Sequence, residues 1–341
     1  MQAFHVTIHI QSPFATSLKG DTLFGQLCWA IRNRLGEDRL TELLTGYTSG
    51  QPFAVVSDAF PQGYLPLPKL PGSYYEKVEN LDRKAIKKRG WLPEQAVEKP
   101  LAHWLNHAVD AKTIVNALCG KDVRIVTEHR SLSEKHPQPH NTIHRQTNTT
   151  GEAGFAPYSI EQEWFTPGIS WIFFILLDLK RIDADDCRQC LEDIGNIGYG
   201  RDASIGLGKF ELSDFAETTL PTQSGANACL TLAPCAPQGL GFDSKNSFYQ
   251  LFTRFGRHGD RAVHQEGKPF KNPVLLAQTA AVFALLPPPS GFIGQGIGGN
   301  GELSKTLPAT VQQGYAPVIG VRFEGRYGSN TSYGSDAHVA T

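Results

Sequence analysis

The sequence is centred on one glycine-rich stretch, Gly195-Asn196-Ile197-Gly198-Tyr199-Gly200-Arg201-Asp202-Ala203-Ser204-Ile205-Gly206-Leu207-Gly208-Lys209-Phe210. Its glycines leave backbone amides uncovered and permit positive φ angles, so the chain can lie flat against a ligand. Cationic and hydroxyl side chains within it suit phosphate oxygens. We therefore predict a phosphate-binding loop whose contacts come from Gly198, Gly200, Arg201, Ser204, Gly206, Gly208 and Lys209.

The residues on either side of the loop predict a helix before it and a strand after it. Asp183 is a candidate N-cap, apolar residues recur at helical spacing over 184–194, and Gly195 would end the helix. The run Lys209-Phe210-Glu211-Leu212 alternates as a half-buried strand does. Phosphate loops more often open a helix than close one, and Phe210 breaks the Walker pattern. A glycine-rich connection without a ligand is the alternative.

Composition limits the classes of function. A chain of 341 residues favours two domains, and its net charge of −1 means that any basic surface must be local. The longest apolar run, residues 171–177, is far too short to span a bilayer and predicts a buried central strand. Six cysteines without framework spacing, and no apolar leader at the start, predict reduced thiols, a cytoplasmic location and no membrane association.

The N-terminal part predicts an alternating order of strands and helices. Residues 4–10 alternate as a strand, a helix follows over 22–35 with Asp21 or Thr22 as its cap, and residues 53–60 form a second strand. Together with the strand over 170–179, the helix 184–194 and the strand 207–213, this order predicts a ferredoxin-like split βαβ unit. A long insertion, about residues 61–157, separates its second and third strands.

The predicted insertion is polar and carries several groups of cations. A basic cluster of Arg83, Lys84, Lys87, Lys88 and Arg89 lies in its first part. Residues 128–165 read as an extended hairpin. Its candidate RNA-binding residues are Arg130, His144, Arg145 and Gln146. Because residues 128–150 contain few large apolar side chains, we expect them to be mobile in the free chain and ordered by a partner.

The C-terminal half predicts a second, weaker domain. A linker over 214–227 is followed by a strand at 228–233, an amphipathic stretch at 247–255, an apolar run at 273–286 and a strand at 316–323. The predicted fold class is therefore α+β, with two ferredoxin-like (RRM-like) domains. Residues 1–215 would form the first domain, residues 226–324 the second, and residues 325–341 a flexible tail.

Motifs for other chemistries are incomplete. Gly294, Gly296 and Gly299 fit the dinucleotide-binding pattern, but no helical sequence follows them. The alternative function of a small-molecule oxidoreductase rests on this weak pattern alone. Cys187 and Cys190 fall on the apolar face of a helix and are expected to pack in the core. Zinc-site spacing is missing from the cysteines and histidines, so we predict no metal site, no cofactor and no catalytic residues.

At this point three groups of residues resemble the RAMP proteins of CRISPR systems. They are Ser12-Pro13-Phe14 with Gly20 to Ala30, Thr142 to Arg145 with Gly151 and Gly154, and Gly198 to Gly208. More narrowly, the chain resembles subunit four of type III-A Csm effector complexes. Residues 268–273 and 313–318 point the same way, and the resemblance covers residues 1 to about 323.

The resemblance implies a pair of RRM-like domains that cap one end of such a complex and hold the 5′ tag of the CRISPR RNA (crRNA). The neighbours would be a Cas ten-type large subunit and a backbone RAMP subunit. Lys19, just before the first helix, joins the candidate RNA-binding residues. Target cleavage belongs to the backbone subunits, so this chain would bind RNA without catalysing. RAMP hairpins of this kind wedge against the guide and displace a base.

The main alternative function is a metal-independent endoribonuclease that processes precursor crRNA. Such enzymes often use a histidine near the first helix, and residues 20–36 contain none. General acid–base catalysis needs a positioned proton donor and acceptor. No such pair is evident in the sequence near the glycine-rich stretch, which favours the binding function.

Overall fold

The computed structural model describes residues 1–78, 82–151, 155–259, 269–287 and 291–324. The helices in this part of the chain are α1 (Gly20–Leu35), α2 (Glu37–Leu44), α3 (Arg83–Lys88), α4 (Trp104–His107), α5 (Ala111–Cys119), α6 (Val123–Glu128) and α7 (Ala184–Ile197). The strands are β1 (Gln2–Ile10), β2 (Ala54–Val56), β3 (Phe60–Pro61), β4 (Tyr64–Pro66), β5 (Trp91–Pro93), β6 (Ser133–His140), β7 (Tyr158–Phe165), β8 (Ser170–Leu177), β9 (Phe210–Thr218), β10 (Ala228–Thr231), β11 (Leu251–Arg254), β12 (Val274–Ala277), β13 (Val282–Ala284), β14 (Phe292–Gly298) and β15 (Val311–Val321).

The N-terminal sheet has the order β2–β8–β1–β9, with β3 also paired to β8. All its pairs are antiparallel; Val6 of β1, for example, lies opposite Phe173 on one side and Phe215 on the other. α1 and α7 pack together over one face, where they bury Val6, Ile8 and Phe173. The predicted order strand, helix, strand, strand, helix, strand is confirmed for this half.

The second face of this sheet is buried as well. Ile172 and Phe174 of β8 belong to a core that also contains Trp104 of the insertion and Leu230 and Ile319 of the C-terminal half. A strand covered on both faces needs apolar residues at every position rather than at every second one. This explains the continuous apolar run of β8, and its prediction as a buried central strand is confirmed.

The C-terminal half forms an antiparallel sheet in the order β13–β10–β15–β14, with β11 and β12 as a separate hairpin. Its described residues contain no helix. The Gln313 side chain links the two halves: its amide donates to the Val56 carbonyl and its oxygen accepts from the Val56 amide, both at 2.8 Å. The α+β class is confirmed, whereas a ferredoxin-like C-terminal domain stays a prediction.

Long-range contacts change several predicted boundaries. α7 does not end at Gly195 but continues to Ile197. Glycine is needed at position 195 for another reason, because the Phe210 carbonyl oxygen lies 2.3 Å from where a Cβ would be. β9 extends to Thr218, into the predicted linker. The single strand expected at 53–60 is divided into β2 and β3. The predicted tail, residues 325–341, lies outside the described residues.

The prediction that Asp21 caps α1 is wrong. Asp21 lies in the first turn with its side chain buried, and Arg254 of β11 binds it through two hydrogen bonds of 2.7 and 2.8 Å. Burial raises the pKa of the Asp21 carboxyl, and the charge of Arg254 opposes that rise. The carboxylate therefore joins the two halves of the chain instead of capping a helix, a contact that local sequence cannot reveal.

Candidate nucleic-acid interface

The glycine loop, residues 198–209, connects the C-terminus of α7 to β9, as predicted. It closes on itself through a hydrogen bond from the Tyr199 amide to the Gly208 carbonyl at 2.9 Å. Gly208 has φ 75°, and a Cβ there would lie 2.1 Å from the Tyr199 carbonyl oxygen. Only glycine combines this backbone conformation with so close an approach.

The β1–α1 loop, residues 11–19, holds the glycine loop from one side. The Lys209 amide donates to the Ser12 hydroxyl at 2.8 Å, and the Arg201 amide donates to the Thr16 hydroxyl at 3.0 Å. The Gly208 amide donates to the Pro13 carbonyl at 2.9 Å. These bonds fix the path of the glycine loop against a segment nearly 200 residues away in the chain, and they were not predicted.

Tyr199 anchors the loop in the protein interior. Its ring is fully buried, and its hydroxyl donates to the Ser17 carbonyl at 2.9 Å. Burial raises the pKa of Tyr199 above its usual value, so the phenol stays a neutral donor. This anchoring role was not predicted, because nothing in a Gly-Tyr-Gly run shows that the ring points inward.

The backbone amides of the glycine loop are less available than expected. The amides of Gly198 and Gly206 donate to Ile194 and Ala203, as that of Gly208 does to Pro13. Among the described residues, no acceptor is found for the amide of Gly200. The expectation of uncovered amides is therefore wrong for most of the loop, and direct contacts of these three glycines with RNA stay a prediction.

The charged side chains of the loop are open to solvent. Arg201 has a half-exposed side chain and lies 3.2 Å from the Asp202 carboxylate, which offsets part of its charge. Lys209 and Ser204 are exposed. A hydroxyl and two cations on a fixed backbone can bind phosphate oxygens without reading bases.

Lys19 already has an acidic partner. Its ammonium lies 2.7 Å from the Asp58 carboxylate, which is buried, while the Lys19 side chain keeps 41% of its exposure. Asp58 also accepts from the Gly20 amide at 2.8 Å and from the Thr279 hydroxyl. The sequence feature that could have revealed Asp58 as a buried partner is that it is a carboxylate within the mostly apolar stretch 53–60. A role of Lys19 in RNA binding stays a prediction.

The predicted hairpin is present, and its base touches the same β1–α1 loop. β6 pairs with β7, and Phe14 exchanges two backbone hydrogen bonds with Glu163 of β7 at 2.9 and 2.7 Å. The Phe14 ring lies between Phe165 and Tyr199, with centroid distances of 5.3 and 5.8 Å. The structure thus joins the hairpin base, the β1–α1 loop and the glycine loop in one continuous strip.

The tip of the hairpin, residues 141–151, is built from contacts among neighbours. His144 accepts from the Thr147 amide at 3.3 Å and packs edge-on against Phe155 at 4.7 Å. Arg145 and Gln146 are exposed beside it, and Arg130 is exposed before β6. The structure places three of the four hairpin candidates in one tip, but they make no described contact with the glycine loop.

The residues considered for other chemistries have structural roles. Gly294 and Gly296 lie inside β14, paired to β15, rather than in a turn that opens a helix, which contradicts the dinucleotide context. Cys187 and Cys190 are buried, so their predicted core packing is confirmed. Within the described ranges no group of three His, Cys, Asp or Glu could hold a metal ion. No helix there is long and apolar enough to cross a membrane.

The fold has solved counterparts. A chain in a crystal structure of a Csm1–Csm4 cassette with AMPPNP aligns with a TM-score of 0.57 at 17% identity, covering 95% of this chain and 100% of its own. A chain in the Csm3–Csm4 subcomplex of the type III-A CRISPR-Cas interference complex aligns with a TM-score of 0.58 at 15% identity, covering 94% and 100%. Csm4 is common to both complexes. The fold is Csm4-like.

The Csm4-like fold confirms the predicted RAMP resemblance at the level of structure. No family model and no curated protein matches the sequence. At 15 to 17% identity the backbone arrangement is preserved while most side chains differ. The residues that act in this chain must therefore be argued from its own geometry.

Proposed function

We propose that this chain is a non-catalytic RNA-binding subunit of a type III-A CRISPR effector complex that holds the 5′ tag of the crRNA. The observation that carries the proposal is the continuous strip formed by the glycine loop, the β1–α1 loop and the hairpin base. Hydrogen bonds join the β1–α1 loop to the glycine loop on one side and to β7 on the other, while Arg201, Ser204 and Lys209 remain exposed. A fixed strip with exposed cations suits a sugar–phosphate backbone.

The partners follow from the fold. The solved complexes join Csm4 to Csm1 in one case and to Csm3 in the other. By this likeness, the chain would bridge a Cas ten-type large subunit and a backbone RAMP subunit. The complex would lie in the cytoplasm. We also infer that residues 1–215 form a ferredoxin-like domain, since their four principal strands and two helices follow in the order of a split βαβ unit.

RNA would lie along loops rather than on a sheet. RRM domains stack bases on the open face of a four-stranded sheet. Here that surface is occupied, because Ile172 and Phe174 are buried against the insertion and the C-terminal half. The exposed strip beside the sheet is therefore the candidate for binding the tag.

The proposal is tested by the double variant Arg201→Ala/Lys209→Ala in the full chain. Binding of tagged crRNA and of an unrelated RNA of equal length would be measured over a series of salt concentrations. We expect both RNAs to bind more weakly and the log–log salt slope to flatten by about one to two units. The matched control is Lys180→Ala/Lys245→Ala, which removes two exposed cations outside the strip and should leave both RNAs unaffected.

Two results would contradict this assignment. An unchanged slope in the loop variant would show that Arg201 and Lys209 do not meet phosphates. Site-specific cleavage of precursor crRNA by the purified chain, lost when His5 or His9 is replaced, would favour the endoribonuclease. His5 lies 3.9 Å from Asp214, and its pKa is lowered by burial, with Asp214 opposing the shift.

A further inference from the structure

A second cationic surface lies in the insertion, on α3 and the residue that follows it. Arg83, Lys84, Lys87 and Lys88 are exposed, whereas Ala85 and Ile86 between them are half-buried. Residues four apart share a face of a helix, so Arg83 lies beside Lys87, and Lys84 beside Lys88. All four cations therefore project on the side of α3 that faces solvent. With Arg89, they form what we call the α3 patch.

The α3 patch has no acidic partner within the described residues. The four helix cations make no ion pair there, and the Arg89 guanidinium donates to the Leu105 and Asn106 carbonyls instead of a carboxylate. Other helices pair their arginines with acids, as Arg32 with Glu37, Arg34 with Asp193 and Arg188 with Glu192. The nearest acids, Asp82 before α3 and Asp110 near Lys88, form no described ion pair with these four cations.

The four cations of α3 do not all suit their positions. Like charges four residues apart repel one another, and Arg83 and Lys84 in the first turn oppose the helix dipole, whereas Lys87 and Lys88 in the last turn favour it. Lys112 adds a further cation: Lys88 and Lys112 both lie near Asp110, whose pKa is lowered mainly by hydrogen bonds from Thr113 and further by the two lysines. Clustered like charges that repel one another within a short helix are typical of a binding site.

The composition of the patch indicates which partner it fits. Lysine is depleted at the centre of protein–protein interfaces, where aromatic residues are enriched. None of the exposed large apolar residues belongs to α3 or Arg89. A row of point charges without aromatic or amide side chains can bind phosphates but offers little to read a base.

We propose that the α3 patch is a second nucleic-acid surface, which binds the sugar–phosphate backbone of single-stranded RNA without base preference. It goes beyond the tag-binding strip and does not depend on it, because no described hydrogen bond or ion pair joins the α3 patch to the glycine loop or the β1–α1 loop. The strip holds one end of the guide, whereas this surface binds a further length of single strand.

The test compares two variants of the full chain with equal changes in charge. The patch variant is Arg83→Gln/Lys84→Gln/Lys87→Gln/Lys88→Gln. The control replaces Lys180, Arg188, Lys245 and Arg322, which are exposed elsewhere, by Gln. The probe is labelled polyuridylate, with polyglutamate as a second anion. For four phosphate contacts with a single strand, we expect the log–log salt slope to flatten by about two to three units in the patch variant only.

A smaller variant and three further results make the test decisive. The pair Lys84→Gln/Lys88→Gln should give about half the change in slope. Because the replaced side chains are exposed, thermal unfolding should be unchanged or shifted to higher temperature. Equal losses in patch and control variants, no change in either, or binding of polyglutamate but not polyuridylate would each overturn the proposal. Loss of tag binding through Arg201 and Lys209 is measured separately, so the two proposals fail independently.

Discussion

The glycine loop and the hairpin tip are both exposed, polar and predicted to meet RNA, yet they are held in opposite ways. Residues 12–17, which are distant in sequence but adjacent in space, fix the glycine loop through the side chains of Ser12 and Thr16 and through the buried ring of Tyr199. The tip of residues 141–151 relies on neighbours such as Thr147 and Phe155. One region has its shape before a ligand arrives, whereas the other has little outside itself to fix it.

The comparison assigns different roles to the two regions. A site held rigidly in advance loses little conformational entropy when it binds, which suits the constant 5′ tag in the proposed function. A tip held by local contacts can adapt to whatever guide lies beneath it. Variants that remove contacts from only one of these regions should therefore differ in their effects on stability.

Gly208→Ala should damage the glycine loop most. The new Cβ would lie 2.1 Å from the Tyr199 carbonyl oxygen at a φ of 75°, so we expect the free energy of unfolding to fall by about 3 kcal/mol or more. Gly206→Ala is the matched control: φ is 95° but nothing lies within 4 Å of its Cβ, so the fall should be about 1–2 kcal/mol. Equal losses in urea denaturation would mean that the loop is not packed as described.

Tyr199→Phe should weaken the anchor of the loop without changing its packing. The Ser17 carbonyl would lose the 2.9 Å hydrogen bond, and we expect a loss of about 1–2 kcal/mol in the free energy of unfolding. Tyr158→Phe, at an exposed position in the hairpin, should change it by less than about 0.5 kcal/mol. A larger loss of unfolding free energy for Tyr158→Phe than for Tyr199→Phe would mean that the hairpin, and not the glycine loop, is held by its tyrosine hydroxyl.

Asp110→Ala tests the local contacts that hold the insertion. Asp110 caps α5 by accepting from the Thr113 amide at 2.9 Å, so its loss should lower stability by about 1 kcal/mol. Hydrogen bonds from Thr113 lower the pKa of Asp110, so this stabilisation is complete above the unfolded pKa of about 3.9 and is lost as pH falls through the folded pKa. Denaturation from pH 7 to pH 2 should therefore show the difference between variant and wild type narrowing as the pH falls below about 3.9. A constant difference would contradict the cap.

The hairpin tip should affect stability least and respond to RNA most. The triple variant His144→Ala/Arg145→Ala/Gln146→Ala should change the free energy of unfolding by less than about 0.5 kcal/mol. In the free chain, amides of 141–150 should exchange faster than those of 199–209, and RNA with the neighbouring subunits should slow them. Equal protection of 141–150 in free and assembled chains would mean that the tip is merely structural.

The sequence was most informative where the governing contacts are local or periodic. Alternation over residues 4–10, the apolar run of β8 and the helix–loop–strand order around Gly198 all appear in the structure. The polar hairpin was predicted for the same reason. Because β6 is paired with β7, we now expect only the tip of the hairpin to be mobile in the free chain.

What the sequence could not show depends on contacts between distant residues. The role of Asp21 is set by Arg254, and that of Lys19 by Asp58. Gly195 was interpreted as a helix end because the approach of Phe210 is invisible in the local pattern. The residues of the glycine loop were identified, but which of its amides are already used inside the chain could be known only from the fold.

The central claim is that the glycine loop meets the 5′ tag of an intact crRNA. The most direct measurement is photocrosslinking of crRNA carrying a photoreactive base in the tag, after co-purification with the full chain and its partner subunits, followed by identification of peptides and RNA ends. We expect crosslinks within residues 198–209 and co-purified RNA whose ends are uncut by this chain. Crosslinks confined to the C-terminal sheet, or RNA cleaved by the chain alone, would contradict it.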